Sequence, residues 1–291
     1  MSRRSASIIC DGCHKRRVIV LIGPILRRAE AGRTPSRREI LLMLRAEDEE
    51  YRSLLEVAGR ICRQKKGEEP SLRFLVDLEA SDPQRIREDV VHAWRTGCAS
   101  VLLCASSGYD AVDEVAALIR DIAEETDMQV ILGLGERSYE VYALWRHAGA
   151  VEYLLPHDSC NPDLFSQLHP GHSPAVRLTR GLWLKGLGYR VTGGICVGID
   201  GETDDDLADD LEVLRNAGLT GVMVRSAGGA GDLLRVLAIT RLCLPDADLW
   251  VATDDPVLQA RALGCGANIL VTAHPAGSDH EVPRALSHGI S

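Results

Sequence analysis

The chain has 291 residues, a net charge of −9, and 45% hydrophobic and 26% charged residues. That length and balance read as an ordinary soluble protein with a substantial core, and the acid excess argues against nucleic acid or an anionic membrane as partner. No apolar run reaches the ~18–20 residues of a membrane span, and nine scattered cysteines, an odd number, fit reduced thiols in a cytoplasmic protein.

Residues 1–20 are read as a disordered, locally basic segment whose scattered charge (Arg3, Arg4, Lys15, Arg16, Arg17) suits a solvated surface. Cys10-Asp11-Gly12-Cys13-His14 has the form of a haem-attachment motif. Haem would need an exported chain, and Val18–Leu26 is short, holds Gly-Pro and lacks a small-residue cleavage site. Half of a zinc site and an unpaired terminus stay open as readings of the same residues.

Residues 21–70 form a helical lead-in. Arg38 to Lys66 carries apolar residues at helical spacing, and the acidic step Ala46-Glu47-Asp48 divides it into two helices. From residue 71 to 275 short β-rich runs alternate with amphipathic ones. The strand-like runs are Leu72–Leu78, Ser100–Ala105, Met128–Gly135, Val151–Pro156, Arg190–Ile199, Gly221–Ala227, Leu249–Asp254 and Asn268–His274. Thr203 is suited to cap the helix after the fifth run, with Asp204–Asp206 against its positive pole. Eight such repeats predict an α/β fold, a (β/α)8 TIM-type barrel with the N-terminal helical lead-in, followed by a tail at 276–291. A doubly wound sheet is the structural rival.

In a barrel, chemistry collects at the strand C-termini. Ser107 and Gly108 follow the second strand in a loop where backbone amides could approach an anion, or which is an ordinary turn. Glu136 follows the third strand and could accept from an ammonium or ribose hydroxyls, or merely open the next helix. His157, beside Asp158, Ser159 and Asn161, is expected at the mouth after the fourth strand. The Gly-rich fifth strand, Gly193 to Gly198, would let a flat ring lie against backbone at Val197 and Gly198, and Arg177 on the preceding helix could neutralise a carboxylate.

The strings GLGERSYEVYALWRHAGAVEYLLPHDSCNPDLFSQLHP (Gly133–Pro170), RLTRGLWLKGLGYRVTGGICVGIDGETDDDLADDLEVL (Arg177–Leu214) and ALGCGANILVTAHP (Ala262–Pro275) occur in order. Over roughly residues 21 to 275 the chain resembles the radical-SAM maturase of [FeFe]-hydrogenase, the HydE type, itself close to biotin synthase and methylornithine synthase. The resemblance implies a barrel binding S-adenosylmethionine (SAM), with Ser107, Gly108, Glu136, His157, Arg177, Val197 and Gly198 as its cofactor-binding residues. It also implies a [4Fe-4S] cluster held by a C-x3-C-x2-C loop after the first strand.

That loop is missing. Between Leu78 and Arg85 there is no cysteine. The acidic partner of the SAM amino group falls at Tyr109, and the basic partner of its carboxylate at Pro156. No catalytic residue and no metal ligand is assigned. The expectation is a HydE-like barrel of the lineage that assembles the hydrogenase cofactor, retaining SAM-binding remnants without radical chemistry. It would take a small-molecule ligand in the barrel mouth and act among hydrogenase-maturation proteins, with no nucleic acid or membrane partner. The alternatives are a non-catalytic nucleoside- or partner-binding barrel in metallocofactor maturation, and a cluster-free barrel lyase using Glu136, His157 and Asp158.

Overall fold

The computed structural model describes residues 22–80, 82–105, 109–228, 230–253 and 255–273. Eight parallel strands close into a barrel, each paired with its sequence neighbours, and the eighth with the first. They are β1 (Ser71–Asp77), β2 (Ser100–Cys104), β3 (Gln129–Gly133), β4 (Glu152–Leu154), β5 (Arg190–Val197), β6 (Gly221–Ser226), β7 (Asp248–Ala252) and β8 (Ile269–Thr272). Every strand lies within the run expected of it or one residue from it, and closure decides against the doubly wound sheet. Cys10, Cys13 and His14 lie outside the described residues.

Among the described residues three helices precede the barrel: α1 (Gly23–Glu30), α2 (Arg37–Leu44) and α3 (Asp48–Lys66), the last two separated at the expected acidic step. Between strands lie α4 (Pro83–Arg95), α5 (Val112–Glu125), α6 (Tyr139–Ala148), the short α7 (Pro162–Leu168), α8 (Pro174–Gly186), α9 (Asp204–Asn216), α10 (Ala230–Cys243) and α11 (Pro256–Gly264). None of the described helices is long and apolar enough to cross a membrane. Thr203 caps α9 in a reciprocal box with Asp206, each side chain satisfying the other's backbone N–H.

Alternation along each strand divides the core in two. Leu75, Leu102, Ile131, Leu154, Met223, Trp250, Ile269 and Val271 fill the barrel. Ile195, Val197, Val222, Val224, Leu249 and Val251 instead face outward, against the apolar stripes of α9, α10 and the lead-in helices. Beneath the interior plug, the Arg73 guanidinium stacks 3.7 Å over Trp250 and pairs with Glu152 at 3.1 Å. Glu152 also accepts from Thr192 at 2.6 Å, so the buried charge is both paired and hydrogen-bonded. The bottom of the barrel is thereby closed.

Candidate functional site

The mouth is organised by a chain of alternating charges drawn from five segments. On the β3–α6 loop, Glu136 Oε1 accepts from Arg177 Nε of α8 at 3.0 Å. Arg177 also donates through its NH1 amino group to the Pro156 carbonyl, at 2.9 Å. His169, just after α7, stands 3.1 Å from the same amino group and brings Nε2 within 2.6 Å of Asp158 Oδ2. The shorter, charge-assisted contact assigns the proton: Nε2–H donates to the carboxylate. Asp158 Oδ1 in turn accepts from Arg225 Nε of β6 at 2.9 Å.

Asp158 is fully buried, with a positive φ of 62°. A non-glycine residue is held there because its backbone re-enters the ladder: its N–H donates to Gly194 and its carbonyl accepts from Cys196 N–H. Burial alone would raise its carboxyl. The Arg225 charge and the His169 hydrogen bond outweigh that and hold it well below the usual carboxylate range. Burial lowers His169 from the ordinary imidazole value, against the opposing pull of its Asp158 hydrogen bond. Arg225 is raised, the Asp158 charge overcoming its own burial.

Glu136 and Arg177, singled out from sequence, meet directly, but as partners of each other. Glu136 lies in the loop before the Ser138 N-cap and not in the first helical turn. Two other residues depart from the mouth position expected of them. His157 turns outward into the helix layer, lining a cavity of about 150 Å³ with Leu178, Leu182 and Leu214. β4 has ended at Leu154, and the left-handed backbone at Asp158, not strand alternation, sends the two neighbouring side chains to different sides. Val197 likewise packs outward against α9 and α10. Gly198, at φ 82°, fits a turn where a Cβ would stand 2.9 Å from the Gly228 carbonyl oxygen. The glycines of β5 have a packing cause too. A Cβ on Gly194 would stand 2.9 Å from Pro156 Cβ, and one on Gly193 would stand 2.6 Å from a Leu219 methyl. Ser107 and Gly108 lie outside the described residues.

His169 and Arg225 carried no motif. Arg225 was nonetheless recoverable, since Met223 faces the interior and parity turns the residue two positions on the same way. Tyr109, where the resemblance puts an acid, is half-buried, with its hydroxyl raised by burial and by Glu114 and Glu79.

A three-thiolate cluster does not fit the residues present. β1 ends at Asp77, and Asp82 already caps α4 by accepting from the Gln84 and Arg85 N–H groups at 3.0 Å each. The intervening residues, Leu78, Glu79, Ala80 and Ser81, include no thiol. Cys104 and Cys196 close β2 and β5 fully buried, with burial pushing the first thiol far up and the second to about 11. Cys98 lies at the opposite end of β2. Among the described residues nothing brings three thiolates to one point.

No family model matches the chain. The chain is 32% identical to the [FeFe] hydrogenase maturase subunit HydE of Thermotoga maritima over 65% of its own length and 59% of that protein's, so it spans less than two thirds of this relative. It is 26% identical to the biotin synthase of Cutibacterium acnes over 77% of this chain and 74% of that one. Among solved structures, methylornithine synthase (PylB) matches with a TM-score of 0.79 at 17% identity, covering 89% of this chain and 88% of its own. HydG, a maturase of the [FeFe]-hydrogenase, matches with a TM-score of 0.73 at 15% identity over 86% and 67%. These structural likenesses concern the fold alone. The chain is thus similar in sequence to HydE over part of that protein's length and to biotin synthase, and it shares its barrel fold with methylornithine synthase and HydG.

Proposed function

We propose that this protein is a HydE-type barrel of the hydrogenase-maturation lineage that binds a nucleoside-bearing small molecule of the SAM class at its mouth and performs no radical chemistry. One observation carries the reading: the mouth keeps a connected polar chain from Glu136 to Arg225, while the joint between β1 and α4 offers no thiol for a cluster.

The contacts of Glu136 all fall on Oε1. Oε2 is then the acceptor for a ribose hydroxyl or an ammonium. Arg225 uses Nε on Asp158, and its terminal amino groups suit a ligand carboxylate. The remaining work of the chain is to hold these groups in place, since Arg177 and His169 are engaged with protein partners. The partners of such a barrel would be other hydrogenase-maturation proteins.

Isothermal titration with SAM and with S-adenosylhomocysteine tests the proposal. Saturable binding of either one, in the absence of iron, supports a ligand-binding barrel. No heat from either, with the protein folded, contradicts it.

A further inference from the structure

Behind the mouth, on the outer side of β4, a second group of side chains converges that takes no part in the polar chain. His157, Cys160 and Asp210 each offer one ligating atom, and these atoms lie within 4.8 Å of one another. His157 Nε2 stands 4.0 Å from Asp210 Oδ1. His157 is 4% exposed and Asp210 fully buried, yet neither ring nitrogen of His157 has a hydrogen-bond partner, and neither has Asp210 Oδ2. Burying three polar atoms without partners is costly, roughly 1–3 kcal/mol for each, and a protein that keeps them in one place needs something to satisfy them.

We propose that His157, Cys160 and Asp210 form a binding site for a divalent transition metal ion of the zinc type, distinct from the barrel mouth. Imidazole, thiolate and carboxylate together make the donor set of a tetrahedral site with an open fourth position. Asp210 is already oriented for the task. Its Oδ1 accepts from the Cys160 backbone N–H and, at 3.4 Å, from the Ser159 hydroxyl, while Oδ2 has no hydrogen-bond partner. Ligand atoms around tetrahedral zinc stand about 3.3–3.8 Å apart, so the group must close by about 1 Å. Cys160 is only half-buried, so its rotation supplies the closure and the ion has a way in. On binding, the Cys160 thiol gives up its proton to solvent and the sulfur, a His157 nitrogen and a carboxylate oxygen of Asp210 take the metal. The ion would then clamp the β4 exit loop to α9, and that loop carries Asp158 into the mouth on its other side.

The test uses the full chain with Cys10→Ser and Cys13→Ser, so that the N-terminal cysteine pair cannot supply thiolate. Cobalt(II) is titrated first and then displaced by zinc, with circular dichroism reporting the fold. The expected result is one cobalt per chain with a sulfur-to-cobalt charge-transfer band, lost on Cys160→Ser. Asp210→Asn, which keeps the hydrogen bonds of Oδ1, should weaken zinc by more than about 100-fold, beyond what losing an outer-sphere partner costs. A charge-transfer band that survives Cys160→Ser, or no metal uptake by the folded Cys10/Cys13 variant, overturns the proposal.

Discussion

Arg177 and Glu136, 41 residues apart in sequence, are joined through Arg177 Nε and Glu136 Oε1 at 3.0 Å, with the arginine side chain 2% exposed and the glutamate 8%. The pair ties α8 to the β3–α6 loop and, through the Pro156 carbonyl, to the exit of β4. A buried ion pair adds little net stability, but half of one is a heavy penalty. Arg177→Met should therefore destabilise the protein by about 3–5 kcal/mol. Adding Glu136→Leu should recover a good part of that loss. Urea unfolding of the two single variants and the double variant measures both effects. Additive losses in the double variant would mean that the pair does not act as a unit.

Asp158 makes a prediction with a definite sign. Its carboxyl is held below its unfolded value, so it contributes stability above about pH 4 that is lost as pH falls below that. Asp158→Asn keeps the shape and tolerates the positive φ, but leaves Arg225 without its counter-charge. The variant should be less stable than the parent at pH 7 by about 3–5 kcal/mol, and the gap should narrow steadily between pH 4 and pH 2. Denaturant titrations across that range read it directly. A gap independent of pH would separate the acid sensitivity from Asp158.

What could be read from sequence follows from how local each signal is. The eight strands, the division between α2 and α3, and the Thr203 cap rest on neighbouring residues, and all appear where their patterns lie. Side-chain direction at the strand ends was not legible in the same way. β4 ends at Leu154, and the directions of His157 and Asp158 are set beyond it by the positive φ of Asp158, which no local pattern announces. Partnership was harder still. Nothing local to Arg177 says that its counter-charge is Glu136 and not a ligand, and His169 follows a short helix without any motif. The glycines of β5 looked like room for a ring because the residues that fill that room, Pro156 and Leu219, are distant in sequence.

Two glycines of the β5–α9 turn separate conformation from crowding. Gly198 and Gly201 have nearly equal φ, 82° and 81°, but a Cβ at 198 would meet the Gly228 carbonyl at 2.9 Å while one at 201 would meet nothing within 4 Å. Gly201→Ala should cost about 1 kcal/mol, the price of a left-handed alanine. Gly198→Ala should cost that and a further ~1–3 kcal/mol of overpacking. Thermal unfolding of the two variants gives the difference. Equal losses would remove the Gly228 contact from the explanation.

At Arg225 the charge and the planar fork can be separated. Arg225→Lys keeps a cation beside Asp158 but loses the planar fork. Folding should change little, while affinity for S-adenosylhomocysteine should fall by about tenfold, the equivalent of about 1.4 kcal/mol. Calorimetry on the folded variant tests this, and unchanged affinity would take the ligand's carboxylate away from Arg225.

In the proposed function the barrel persists without a cluster. Anaerobic reconstitution of the full chain with iron and sulfide, followed by assay of SAM cleavage, tests it most directly. The expected result is no [4Fe-4S] absorbance in the visible and no 5′-deoxyadenosine, whatever single ion is taken up elsewhere. A stable complement of about four irons with matching sulfide, together with reductive cleavage of SAM, would contradict it.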